Sequence, residues 1–240
     1  MTMQITPIKT RIFRENEDLF SFVLKHIKKL PEKSILAVTS KIVSLAEDRT
    51  VEYKNERQRI KLIKQESEFA LRLKHVWLSI KDNMVMANSG IDQSNTNGKM
   101  VLLPKNSFRS AGFLRKKLMQ KFHLENFGVL VTDSEFMPLR VGALGVALGY
   151  AGFSGIRNYI GKKDIFGRIF KFSRTNIADS LATSAVLCMG EGKEQQPLAV
   201  ITNAPVIFTK KVKRNELVIN PKKDIYAPLF KNLKSNAKRK

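Results

Sequence analysis

The chain has 240 residues, enough for one large domain or two small interlocked ones. A 43% hydrophobic content allows a real core, and a lone cysteine, Cys188, excludes a disulfide framework and a cysteine-based zinc site. The formal charge of +22 comes from 43 Lys+Arg against 21 Asp+Glu. Such a field attracts nucleic acid or small polyanions, or it simply coats solvated faces with lysine. The basic residues run from Lys9 to Lys240 with few aromatics among them, which argues against a dedicated nucleic-acid surface.

The first residues become charged early, at Lys9, Arg11 and Arg14, with no apolar stretch or small-residue cleavage site. Asn16 or Glu17 opens an amphipathic helix with Leu19, Phe20, Val23, Leu24 and Ile27 on one face, closed by Pro31. Ser34 to Thr39 reads as a buried strand, and Lys41 to Ala46 as a turn or short helix. Glu52 to Arg59 reads as a charged loop. Lys61 to Leu73 has a helical pattern with Leu62, Phe69, Ala70 and Leu73 inward. Val76 to Ile80 and Met84 to Ala87, split by Lys81-Asp82-Asn83, predict a hairpin.

Gln93 to Lys99 is turn-rich, and Ser107 caps a helix over 108–122. Phe127 to Thr132 predicts a strand that delivers Asp133 at its C-terminal end. Glycines at 142, 145, 149, 152 and 155 permit close backbone approach but match neither a phosphate loop nor a dinucleotide fingerprint. Val141 to Ile156, the longest uncharged stretch, is too short and glycine-rich to span a bilayer. Thr175 caps a helix carrying Ile177, Leu181, Ala185 and Met189 inward, and Cys188 within it reads as core packing. Leu198 to Thr202 is a late strand. The pattern fades after Phe208, and the last ten residues read as a disordered basic tail.

Helices and hairpins alternate irregularly, so the fold class is α+β, with mixed sheets. A cytoplasmic protein is expected. The domain reading is a body over 1–208, with a boundary between two subdomains near 90, and a basic extension over 209–240. His26, His75 and His123 fall in element patterns without partners and read as structural or surface residues. Trp77 reads as core.

In a chain short of acid, two apolar runs end in an aspartate followed by small polar residues. These are Asn88-Ser89-Gly90-Ile91-Asp92-Gln93-Ser94-Asn95 and Val129-Leu130-Val131-Thr132-Asp133-Ser134. Carboxylates at strand ends beside Ser, Asn and Gly suit a hard divalent cation next to a phosphate. By pattern alone Asp92 also fits as a turn cap and Asp133 as a helix cap. Glu191, in Met189-Gly190-Glu191-Gly192, is either a third carboxylate or a surface residue.

At these residues the chain resembles the gamma-glutamyl ligases that add L-glutamate to the precursor of the deazaflavin coenzyme F420. It looks nearer still to a bacterial branch assigned to folate metabolism. The matching strings include Thr39-Ser40-Lys41-Ile42-Val43-Ser44, Ser89 to Asn95, Val101-Leu102-Leu103-Pro104, and Thr132-Asp133-Ser134 with Pro138-Leu139-Arg140-Val141-Gly142. Others are Gly161 to Arg168, Ala178-Asp179-Ser180-Leu181-Ala182 and Met189 to Pro197. Together they span about residues 5 to 205. The chain departs from the family pattern at Leu45, at Asp48 and at Phe136-Met137.

The resemblance implies two intertwined α+β subdomains, a homodimer, and a ligase that uses GTP or ATP with Mg²⁺ or Mn²⁺. The acceptor is a folate-type or deazaflavin carboxylate, with folate favoured by the nearer branch. It further implies that Asp92, Asp133, Ser134 and Glu191 hold metal. Ser40, Lys41, Asn95, Gly190 and Gly192 would contact the nucleotide. Arg140 would present a planar fork to phosphate or carboxylate. The other class of reading is a lapsed ligase fold acting as a basic nucleic-acid-binding or interaction protein. Intact Asp92, Asp133, Ser134 and Asn95 favour the enzyme, because a lapsed site has no need for unpaired carboxylates.

Overall fold

In the computed structural model, which describes residues 2–230, the chain opens with β1 (Gln4–Ile8), α1 (Leu19–His26), β2 (Ser34–Thr39) and α2 (Ser40–Ala46). A central stretch follows with β3 (Thr50–Glu52), α3 (Glu56–Glu66), β4 (Phe69–Arg72), β5 (Trp77–Lys81), β6 (Met84–Ala87) and β7 (Lys99–Val101). Then come α4 (Ser107–Phe122), β8 (Phe127–Phe136), β9 (Ala143–Ala151), β10 (Ile156–Asn158), β11 (Arg174–Asn176) and α5 (Ile177–Met189). The last elements are β12 (Leu198–Thr202) and the short α6 (Ala227–Phe230).

The main sheet has the order β1-β12-β2-β8-β9. Only β2 and β8 run parallel, from Ser34 opposite Phe127 to Thr39 opposite Thr132. The other contacts of this sheet are antiparallel. Alternate residues point to opposite faces of a strand, and both faces here are covered. Leu36, Val38, Val129 and Val131 face α1 and α4, among Phe22, Val23, Leu114 and Leu118. Ile35, Ala37, Leu130 and Ile201 face α5, among Ala178, Leu181, Ala182 and Ala185. That double burial explains the uninterrupted apolar run in Ser34–Thr39.

Residues 50–101 form an insertion between the two parallel strands. They build a three-stranded sheet, β4-β5-β6, and the pair β3-β7 around a small core of Ile63, Ile91, Met100 and Leu102. Trp77 packs half-buried against this core. The hairpin turn at Asp82 and Asn83 has positive φ at both residues (51° and 63°), the signature of a tight turn matched to strand twist. The α+β class with mixed sheets holds.

Several local expectations shift. The helix expected over Lys61 to Leu73 begins at Glu56, capped by Asn55, and ends at Glu66. Ser67 turns to extended geometry, its hydroxyl donating to the Ile63 carbonyl, and Phe69–Arg72 pairs instead with β5. The N-caps of α1, α4 and α5 are Asp18, Asn106 and Asn176, each accepting from a backbone N–H three residues on. Each cap lies one or two positions from the predicted Asn16/Glu17, Ser107 and Thr175. Strand β8 does not stop before Asp133. Pairing with β9 carries it on to Phe136, across a bulge at Val131/Thr132.

Cys188 is exposed, not core. It sits beside Leu187 on the outer face of α5, while Ala185 and Met189 point inward. His75 and His123 are exposed. His26 bonds the Phe22 carbonyl through Nδ1 and accepts from the Arg11 N–H at Nε2. Beyond Phe208 the chain still contributes Val212 and Leu217 to the α5-side core. There Glu216 accepts from the Tyr150 hydroxyl at 2.7 Å and the Gly155 N–H at 2.6 Å. The tail from Lys231 onward lies outside the described residues. No helix among those described is long and apolar enough to cross a membrane.

The insertion is tied to the body by Glu66, which takes Arg49 at 2.7 Å and Lys81 at 2.8 Å, while Arg49 also donates to the Leu103 carbonyl. Burial raises the Glu66 carboxyl, but the two cations outweigh it and leave the group below its ordinary range. A depressed folded pKa stabilises above the unfolded value of 4.5 and ceases to do so as pH falls through the folded value. Glu66→Gln should therefore cost about 1–3 kcal/mol at neutral pH. The gap from wild type should narrow as pH falls below 4.5, as measured by chemical denaturation across that range. The exposed Cys188 should react stoichiometrically with a disulfide reagent in the native state, read by absorbance without denaturant.

Candidate active site

The parallel pair ends at one edge of the sheet, where Thr39 lies opposite Thr132. Ligands in sheets of this kind bind beyond the carboxyl ends of parallel strands. The next residues on each strand meet there. The Ser40 hydroxyl donates to Asp133 at 3.1 Å. A cleft of about 920 Å³ opens above this edge. Its walls come from residues 10–13, the start of α2, the 87–97 segment, β8 from Thr132 to Phe136, and the 189–197 loop. A shallower depression of about 490 Å³ between Arg11, Arg14 and Glu17 is an ion-paired surface dip without the acids described below.

Asp92 is held by its backbone. It exchanges both N–H···O bonds with Val101, at 3.0 and 2.8 Å. Before it, Ser89 and Gly90 both have positive φ (59° and 69°). Ser89 is fixed there because its N–H donates to the Ser79 hydroxyl and its own hydroxyl donates to the Ile63 carbonyl. A Cβ at Gly90 would meet Leu103 at 2.5 Å, so glycine is required by both space and conformation. The Asp92 carboxylate accepts from the Ser94 N–H and hydroxyl, both at 2.7 Å, and pairs with the Lys41 ammonium at 2.7 Å. Lys41 also donates to the Ser94 carbonyl. Burial would raise Asp92, but Lys41 and Ser94 hold it below the usual carboxylate range.

Asp133 has the opposite balance. Burial, aided by the nearby charge of Asp92, pushes it up to about 6 against the opposing bond from Ser40. Two residues on, Glu135 points to the same face of β8 and is 6% exposed. Burial and the neighbouring Asp133 push it up to about 8. Across the cleft Ser134 donates to Glu191, and the Asn95 amide donates to the Gly192 carbonyl at 3.4 Å. The loop holding Glu191 is anchored to the sheet, since Thr39 donates to the Pro197 carbonyl and Thr10 to that of Gln195. Gly190 has φ of 80°, and Gly192 donates to Glu194.

Lys41, Asp92, Asn95, Asp133, Ser134, Gly190, Glu191 and Gly192 thus all line one cleft, with Ser40 bonded to Asp133. Arg140 is not brought there. It lies on the exposed turn between β8 and β9, its N–H bonded to the Met137 carbonyl. Sequence reasoning missed Glu135 and Glu194. The signal for Glu135 was its i+2 spacing from Asp133, hidden by ending the strand too early. Among the described residues no three of His, Cys, Asp and Glu converge as a ready metal cage. The acids instead stand in pairs with Lys41, Ser40 and Ser134.

A family model described as F420-0:Gamma-glutamyl ligase matches residues 7–203. The chain belongs to that family. A protein named coenzyme F420:L-glutamate ligase from Methanococcus maripaludis is 32% identical, over 93% of this chain and 97% of its own length. Relatives of the same name are 28% identical in Methanopyrus kandleri, over 94% of this chain and 98% of their own, and 39% identical in Methanocaldococcus jannaschii, over 60% and 57%. These names carry the deazaflavin coenzyme. The folate branch has no counterpart among these three.

Gly90→Ala should cost about 1–3 kcal/mol through strain and the Leu103 clash. The melting temperature should fall by about 2–4 °C per kcal/mol. An unchanged melt would show that the turn before Asp92 relaxes freely.

Proposed function

We propose that this chain is a nucleotide- and divalent-metal-dependent gamma-glutamate ligase, joining L-glutamate to the carboxylate of a deazaflavin or folate-type acceptor. The supporting observation is the single cleft at the ends of β2 and β8 that gathers Asp92, Asp133, Ser134 and Glu191 around Lys41. Family membership and the relatives' names support the reaction type and favour the deazaflavin precursor as acceptor.

An amide does not form from a carboxylate and an amine in water without activation. On this reading the terminal phosphoryl group of GTP or ATP passes to an acceptor carboxylate oxygen, releasing the nucleoside diphosphate. The glutamate amine then attacks the carbonyl, phosphate leaves with the C–O bond electrons, and the nitrogen loses a proton. Lys41 supplies a mobile ammonium for phosphate oxygens. Asn95 and the Gly190–Gly192 backbone offer polar contacts to the nucleotide. The donor set fits a hard cation: Asp92, Asp133, Ser134 and Glu191 are all oxygen ligands, and half-buried Asp133 forms no ion pair among the described residues. Mg²⁺ or Mn²⁺ held there would neutralise phosphate charge. A homodimer is part of the proposal. Leu139 and Val141 on the β8–β9 turn and Phe166 and Phe172 between β10 and β11, each more than 80% exposed, are apolar side chains that a second copy would cover.

The test is incubation with GTP or ATP, Mg²⁺ or Mn²⁺, L-glutamate and each acceptor in turn, followed by mass spectrometry for the added glutamyl group. Asp92→Asn and Asp133→Asn should each lower the rate by about 100-fold or more while melting close to wild type. Arg140→Lys should stay within about twofold, since its turn lies outside the cleft, and single-digit percentages of wild-type turnover would place it in the site. Failure of wild type with both acceptors overturns the reading.

A further inference from the structure

Glu135 is unexplained by the metal and nucleotide contacts above. It is the most buried acidic side chain in the molecule's described core, at 6% exposure, yet it lines the cleft. Its Oε2 accepts one long bond, 3.4 Å, from the Ala87 N–H. No cationic side chain reaches it among the described residues, whose ion pairs engage Glu15, Glu17, Glu56, Glu66 and Asp92 instead. Removing a carboxylate from water without a counter-ion is costly. A position of that kind invites a cationic group from a ligand.

We infer that Glu135 is the docking group for the ammonium of the amino-acid substrate, an inference that rests on the proposed ligase reading. The geometry favours an ammonium over a second metal. A hard cation needs several oxygen ligands, and the acid beside Glu135, Asp133, is already given to the metal of the proposed reading. One carboxylate with open lone pairs beside it suits a single N–H donor group instead. Its location also suits the reaction. Glu135 and Asp133 are two residues apart on β8, about 7 Å along the strand and on the same face. An amine held at Glu135 therefore waits one side chain away from the phosphate-handling acids. For a substrate carboxylate the same walls offer Lys193, which takes part in no ion pair among the described residues, whereas Arg11 and Lys41 pair with Glu17 and Asp92.

The experiment compares wild type with Glu135→Gln, which keeps size and shape. Calorimetric titration with L-glutamate and with glutarate, its analogue lacking the amine, reads the ammonium directly. L-glutamate binding should weaken by about 10- to 100-fold in the variant. Glutarate binding should not change, and the variant's melting temperature should not fall. In the ligation assay the KM for glutamate should rise by a similar factor, with the KM for nucleotide within about twofold. Equal L-glutamate affinity in the two proteins overturns the inference even if wild type ligates. Loss of Mn²⁺ binding in the variant, read by electron spin resonance, also overturns it, by reassigning Glu135 to the metal. If wild type ligates neither acceptor but L-glutamate binding still depends on Glu135, the ligase reading fails and the ammonium site stands.

Discussion

The parallel pairing of β2 with β8 is the constraint on which the rest depends. Its register sets Thr39 against Thr132, so the residues that follow on each strand, Ser40 and Asp133, are neighbours although 93 positions apart in sequence. Parallel strands need a long crossover, and the chain uses the crossover twice. Helix α4 covers one face of the sheet, and the insertion over 50–101 swings out to form a second small core before returning. That return delivers Asp92 to the same edge. Lys41, one residue past Ser40, then closes the bridge to Asp92. One register choice therefore assembles site residues from three segments, two of which supply the acids.

The insertion must be rigid for this to work, because Asp92 sits near its end. Two devices supply rigidity. The left-handed pair Ser89 and Gly90 is locked by hydroxyl bonds to Ser79 and Ile63, which lie on the insertion's own sheet and helix. Glu66, held by Arg49 and Lys81, ties the helix end to the point where the insertion leaves the body. A half-buried acid with two cations gains more from geometry than exposed pairs such as Arg59–Glu56, which solvent screens.

Elements with a clear period were legible in the sequence. Ser34–Thr39, the Asp82-Asn83 hairpin and the α4 and α5 helices follow from burial on two faces, from turn chemistry and from 3.6-residue spacing. Strand Phe69–Arg72 was not, because Phe69, Ala70 and Leu73 fit a helical period as well as a strand, and only the partner strand β5 decides. Cys188 misled for a related reason. In a helix covering a sheet, an apolar run includes outward positions, and Leu187 and Cys188 fall on them. The aspartate motifs stood out because the chain is poor in acid, whereas their convergence with Glu135 needed the register of β8 past its bulge.

The cleft has a charge character opposite to that of the chain. Against a formal charge of +22 its walls set Asp92, Asp133, Glu135, Glu191 and Glu194 against Arg11, Lys41 and Lys193. A diffuse positive field draws anions toward the surface over roughly the 8–10 Å Debye length of ordinary salt. Close to the acids that attraction is opposed, which on the proposed reading favours an anion that brings cations to the carboxylates. Lys41 already serves Asp92, while burial raises Asp133 and Glu135 past the hydrogen bonds that hold them down. The two levels of charge thus separate two tasks. On the proposed reading the surface draws polyanions in, and the cleft selects those that arrive with positive groups in the right places.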